Sequence, residues 1–155
     1  RKALDSVARK AVPSYGVTSV GGDFLRYRDD VVAEFTARAA AGLPATVWGV
    51  RAAGDPDRPV RTVAVCGGAG DSLLDDVRAA GVDVYLTADL RHHPASEFVE
   101  AGGPALLDAA HWATEHPWLA DAAAALTGAL DLTTRVSTAV TDAWRLHGAS
   151  NEGVK

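Results

Sequence analysis

From residue 61 onward, short runs rich in β-branched residues alternate with amphipathic stretches closed by glycine, the pattern of parallel strands joined by crossover helices. "RTVAVC" (61–66) reads as a strand and "GGAG" (67–70) as the turn that ends it. "DSLLDDVRAAG" then predicts a helix, with Asp71 or Ser72 as N-cap and Gly81 as its stop. "VDVYLTA" (82–88) is the next strand, and "PASEFVEAGG" (94–103) suits a helix with Pro94 in its first turn. A short strand, "PALLDA", leads into the longest helical stretch, 111–129, which Pro117 must end, kink or restart. "LTTRVSTAV" (132–140) reads as the last strand. Upstream, "VVAEFTARAAAG" (31–42) predicts a helix closed by Gly42, and "TVWGVRAA" (46–53) a strand. The turn "GDPDRPV" (54–60) would make it a hairpin with 61–66. Residues 1–30 fit the alternation poorly and form an unassigned segment, with a short helix over 2–11. Residues 31–148 form one α/β lobe, and 149–155 a flexible tail.

Composition narrows this picture. The chain has 155 residues, 48% hydrophobic and 23% charged, the profile of a globular domain with a real core. No apolar run approaches the roughly 18–20 residues of a membrane span, and the basic N-terminus has no apolar region behind it, so neither an anchor nor a secretory signal is expected. A single cysteine excludes an intrachain disulfide and suits a reducing, cytoplasmic setting. A net charge of −5 and a pI of about 5.4 argue against general nucleic-acid binding. The chain opens on Arg1 and contains no methionine, which reads as a piece of a longer protein.

Candidate chemistry gathers in one region, since four of the five histidines lie between 92 and 116. In "DAAHWATEHPW", His111 and Glu115 are four apart and share one helix face. An imidazole and a carboxylate so placed could ligate a divalent ion such as zinc, manganese or iron; equally, the pair could be the polar face of a surface helix. Two strand ends feed this region, and ligands in α/β sheets bind outside the carboxyl ends of strands. Asp89, His92 and His93 leave the strand 82–88 on that rim, although Asp89 could simply cap the next helix. His92 reads as a polar loop residue and His116 as solvent-facing. The loop "VCGGAGDS" lacks the Lys of a P-loop, the Arg of a cysteine phosphatase and the Gly of a hydrolase elbow. Cys66 therefore reads as a buried small apolar residue, and the glycines as a tight turn. Trp112 and Trp118 read as core or interface anchors.

"RTVAVCGGAGDSLLDDVRAAGVDVYLTADLRHHPASE" followed by "LLDAAHWATEHPWL" resembles the C-terminal half of the Nif-three-like family, also called GTP cyclohydrolase 1 type 2 homologues or dinuclear-metal-centre proteins. The similarity runs from about residue 35 to 148, includes "VSTAVTDAW", and does not cover residues 1–30. It implies one lobe of a two-lobed α/β fold, a mixed, largely parallel sheet flanked by helices. It also implies two divalent metals in the cleft between lobes and a homo-oligomer, a ring-shaped hexamer. The family's H-x-x-x-E falls on His111 and Glu115, so the resemblance implies that both are metal ligands. Its strand-end T-G-D and the following His fall on Thr87, Ala88, Asp89 and His93, with alanine in place of glycine; Asp89 and His93 then sit near the cleft without ligating directly. The family's other ligands, a His-His-Pro motif and an Asp, belong to the N-terminal half and have no counterpart here. "RHHP" (91–94) looks like that motif, but by position it matches the second lobe's T-G-D loop. The function implied for the whole protein is metal-dependent hydrolysis of a small molecule or nucleotide; the alternative is a metal-binding adaptor or assembly module without turnover.

Overall fold

The computed structural model describes residues 17–19 and 23–148, with side chains from Asp30 onward. Strands β1 (Val17–Ser19) and β2 (Asp23–Val31) are followed by helix α1 (Val32–Gly42), then by strands β3 (Val50–Ala53) and β4 (Pro59–Ala69). A 3-10 turn (Asp71–Leu73) and helix α2 (Leu74–Ala80) lead to β5 (Val84–Ala88), and helix α3 (His92–Glu100) leads to β6 (Ala105–Ala109). Helices α4 (His111–Glu115) and α5 (Trp118–Ala129) are the last regular elements among the described residues. The six described strands form one mixed sheet in the order β1-β2-β4-β5-β6-β3. Parallel pairing is confined to the three central strands β4, β5 and β6, whose crossovers are α2 and α3; β2 and β3 flank them antiparallel.

Successive strand residues point to opposite faces, so the apolar side chains divide into two cores. Val63, Val65, Val84, Leu86 and Leu107 meet Val32, Phe35 and Ala39 of α1 and Ala113 of α4. On the other face, Ala64, Tyr85 and Leu106 meet Leu74 and Val77 of α2 and Phe98 of α3. Every residue of β5 and β6 is buried, as expected of central parallel strands covered on both faces. Complete burial of Phe35 or Leu107 stabilises the lobe by roughly 1.5–3 kcal/mol each relative to exposure. Gly81, at φ +65, closes α2 as expected, and Pro117 separates α4 from α5.

Several expectations need correction. β3 makes no hairpin with β4: both edges of β4 are taken, by β2 and β5, and β3 pairs with β6 instead. The 54–58 connection packs on the start of α1, where the N–H groups of Val32 and Ala33 donate to the carbonyls of Arg58 and Pro56. β4 does not stop at Cys66 but continues through the glycines to Ala69, with a register shift between Val65 and Ala69. Gly68, at φ +74, supplies the kink of this bulge. Neither Asp71 nor Ser72 caps α2, because a 3-10 turn intervenes and the Asp71 carboxylate accepts from Arg91 Nε at 2.5 Å. The stretch 132–140 is not a strand. It runs beside α5, where Thr134 Oγ1 lies 2.7 Å from Thr127 Oγ1 and donates to the Ala123 carbonyl at 3.4 Å. β-branched residues form strands beside a pleated partner, and a helix offers none. Among the described residues no helix is long and apolar enough to cross a membrane. The expected helix over 2–11 and the tail 149–155 lie outside the described residues.

Candidate metal centre

Because β4, β5 and β6 are parallel, their carboxyl ends share one rim, and the glycine loop, Asp89 and α4 all emerge there. His111 opens α4 and Glu115 closes it, so one helical turn puts their side chains on the same face. His111 Nε2 lies 3.2 Å from Glu115 Oε2. The other ring nitrogen, Nδ1, lies 2.6 Å from Asp89 Oδ2. A carboxylate can only accept, so Asp89 holds a proton on Nδ1; Nε2 is left toward Glu115, donating to it when the ring is charged and offering its lone pair when a cation takes that place. Asp89 adopts a left-handed backbone, φ +56, which aspartate tolerates better than most residues. It does not cap α3, which has no side-chain cap. The Asp89 hydrogen bond raises the His111 pKa above its ordinary 6.5; partial desolvation opposes this, and the Glu115 charge adds to it.

The donors suit a borderline divalent ion, and an ion about 2.0–2.2 Å from each of Nε2 and a Glu115 oxygen is compatible with their 3.2 Å separation. Among the described residues, no group of three or more His, Cys, Asp or Glu side chains is arranged to hold a metal. The geometry explains this, since Asp89 sits on the opposite nitrogen of the ring and cannot share an ion with Nε2. These residues fit a metal as two ligands with one supporting carboxylate.

Beneath the pair runs the glycine loop. Gly68 N–H donates to Thr114 Oγ1 at 2.9 Å, and Thr87 Oγ1 donates to the Gly68 carbonyl at 2.9 Å. Tyr85, whose hydroxyl is pushed well above its usual range by burial, donates to the Gly70 carbonyl at 3.2 Å. The loop thus has partners on β5 and α4. Cys66, expected to be buried, is only half-buried, with Sγ 3.5 Å from the Gly67 carbonyl.

A cleft of about 480 Å³ opens beside His111 and Glu115, bounded by Trp48, Arg51, Asp142 and Trp144. Arg51 bonds to the buried Asp108 at 2.7 Å and lies 4.7 Å over the Trp48 ring. Trp48 in turn stacks on Trp144, with ring centroids 6.3 Å apart. Asp142 is buried; its Oδ1 accepts from Trp144 N–H at 2.9 Å, while Oδ2 has no partner among the described residues. His93 does not line this cleft. It stands exposed at the start of α3 with its ring 5.2 Å from that of His92, and His92 lines a separate hollow between β3 and α3. His116, expected to face solvent, is half-buried, its ring 4.7 Å from Trp112 and its Nε2 3.3 Å from the Ser137 carbonyl. Trp112 packs on the core and borders the cleft, whereas Trp118 is 39% exposed. Gly68, Thr114 and Asp142 were not singled out from the sequence as parts of the pair's surroundings; their roles depend on contacts such as Gly68 to Thr114, 46 residues apart.

Fold and site together define an α/β lobe that carries a His–Glu pair, backed by a carboxylate, at the carboxyl ends of its parallel strands. Residues 25–143 match the family model Duf34/NIF3 (NGG1p interacting factor 3), and the chain belongs to that family. It is 60% identical over 124 residues to a Streptomyces coelicolor protein named GTP cyclohydrolase 1 type 2 homolog, a match covering 77% of this chain and 44% of that protein. A Mycobacterium tuberculosis protein of the same name is 58% identical over 114 residues, covering 72% of this chain and 30% of its own length. The chain therefore spans less than half the length of these relatives. Among solved structures, a Bacillus cereus protein related to NIF3 shares the fold with a TM-score of 0.71 at 24% identity, covering 81% of this chain and 35% of that one. A Staphylococcus aureus protein matches with a TM-score of 0.70 at 22% identity, over 81% of this chain and 42% of its own.

Proposed function

We propose that this lobe supplies part of the metal site of a metal-dependent, hydrolase-like protein, with His111 and Glu115 as its ligands. One observation carries the reading: His111 Nε2 faces Glu115 at 3.2 Å while Asp89 holds Nδ1 at 2.6 Å. A histidine whose far nitrogen is bonded to a carboxylate is the usual form of a metal-ligating imidazole, with tautomer and ring orientation both fixed. Two protein ligands are fewer than a tightly held ion needs, so the remaining ligands come from outside the described residues, and a complete site of two divalent ions is shared with them. Zinc, manganese and iron all suit the donors. A bound metal would supply a water of lowered pKa and stabilise a developing oxyanion. The cleft beside the pair has room for a small molecule or a nucleotide, in keeping with the names of the relatives, and a homo-oligomeric assembly belongs to the same proposal.

A second reading, a metal-binding adaptor without turnover, is favoured by the state of the carboxylates around the cleft. Asp89 is committed to His111, Asp108 to Arg51, and Asp142 has its unbonded oxygen buried, so no general base stands ready among them. Elemental mass spectrometry of the intact protein purified without chelators tests the shared basis of both readings. Near-stoichiometric metal, lost in His111→Ala and Glu115→Ala, is expected. Metal retained by both variants would remove these residues from the site.

A further inference from the structure

The glycine loop contributes more to the pair than a turn. A Cβ built on Gly68 would lie 3.1 Å from His111 Nε2 and 2.7 Å from Glu115 Oε1, the carboxylate oxygen beside the Oε2 that faces the ring, and its nearest contacts are all with these two side chains. Both are far ends of side chains, so a methyl group here is accommodated by swinging Glu115 and His111 away, with no clash against the backbone. What such a swing destroys is the shared space between Nε2 and the carboxylate. Gly68 is also held from both sides, by Thr114 Oγ1 on its N–H and by Thr87 Oγ1 on its carbonyl. Thr114 Oγ1 donates in turn to the His111 carbonyl at 2.8 Å, tying the loop to the residue it underlies.

We infer that Gly68 is a positioning residue of the metal pair: its bare α-carbon, fixed by Thr114 and Thr87, reserves the space in which His111 Nε2 and Glu115 meet an ion. This rests on the metal reading above, and it assigns a role to the loop that neither phosphate binding nor nucleophilic chemistry provides. It also predicts a separation of effects. Alanine at Gly68 carries the backbone strain of a left-handed φ, but so does alanine at Gly102, whose φ is +77 and whose Cβ would meet nothing within 4 Å. The two variants share the strain and differ in the site.

The test is zinc affinity by chelator competition, with the urea midpoint of the metal-free form, in the intact protein carrying Gly68→Ala, Gly102→Ala or His111→Ala. Gly68→Ala is expected to bind zinc about 10- to 100-fold more weakly, with a urea midpoint close to that of Gly102→Ala, which should bind zinc as the parent does. Unchanged affinity in Gly68→Ala alongside lost affinity in His111→Ala overturns the inference and leaves the metal reading standing. Unchanged affinity in His111→Ala overturns the metal reading, and the inference falls with it. Should Gly68→Ala fail to fold, Thr114→Val and Thr114→Ser carry the test: removing the hydroxyl should weaken zinc binding and the serine should restore it. Equal affinity in both would refute the role.

Discussion

Asp89 and His111 lie 22 residues apart in sequence, yet their contact decides which imidazole nitrogen is free. In the metal-free protein this contact has a pH signature. The folded-state pKa of His111 stands above the ordinary 6.5, so the stabilisation from the pair is fully present below about pH 6.5 and is lost as pH rises through the raised value. Asp89→Asn keeps a residue type suited to the left-handed backbone and removes the charge. Its stability should fall furthest below that of the parent in acid and converge with it in alkali, read as urea midpoints at pH 6 and pH 9; a gap of constant size would show that the histidine is not the partner. At this scale the sequence was legible where chemistry follows local spacing. His111 and Glu115 could be paired from helical periodicity alone. Asp89 could be placed on the rim but not joined to His111, because its direction depends on one positive φ. Asp142 gave no signal, since its burial arises from a segment whose path has no periodic pattern.

Helices and strands were legible for the same reason as the His–Glu pair: their apolar positions repeat with the period of the element. α1, β5, β6 and the break at Pro117 all follow from such local patterns. Pairing between elements was less legible, because which strand β3 joins depends on which edges are already occupied. The stretch 132–140 shows the converse, a strand composition left beside a helix. One side chain stitches β3 into place. Arg51 donates to the Asp108 carboxylate of β6, and the other oxygen of Asp108 accepts from Leu90 N–H at 3.1 Å, so strand, strand and rim loop converge on one buried acid. The Asp108 side chain is 7% exposed. Arg51→Met keeps the stem and strips the carboxylate of its charged partner, an expected loss on the order of 1–3 kcal/mol in urea denaturation. A loss below a few tenths would mean that water replaces the guanidinium.

The whole lobe is organised around shared strands. β5 and β6 contribute to both cores, so neither face can open without exposing the other. Urea unfolding followed by far-ultraviolet circular dichroism and by tryptophan emission should therefore give coincident transitions. An earlier emission change, lost in Trp144→Phe, would mean that the Trp48–Trp144 stack parts before the sheet does. Parallel pairing of β4, β5 and β6 has one more effect. It sends the loop, Asp89 and α4 to one rim and returns the chain through Gly81–Asp83 and Ala101–Pro104 on the other, where Ala101 is exposed. A linker attached at Ala101 would anchor the protein to a surface by its chemically quiet side, leaving the cleft turned toward the solution and open to whatever flows past it.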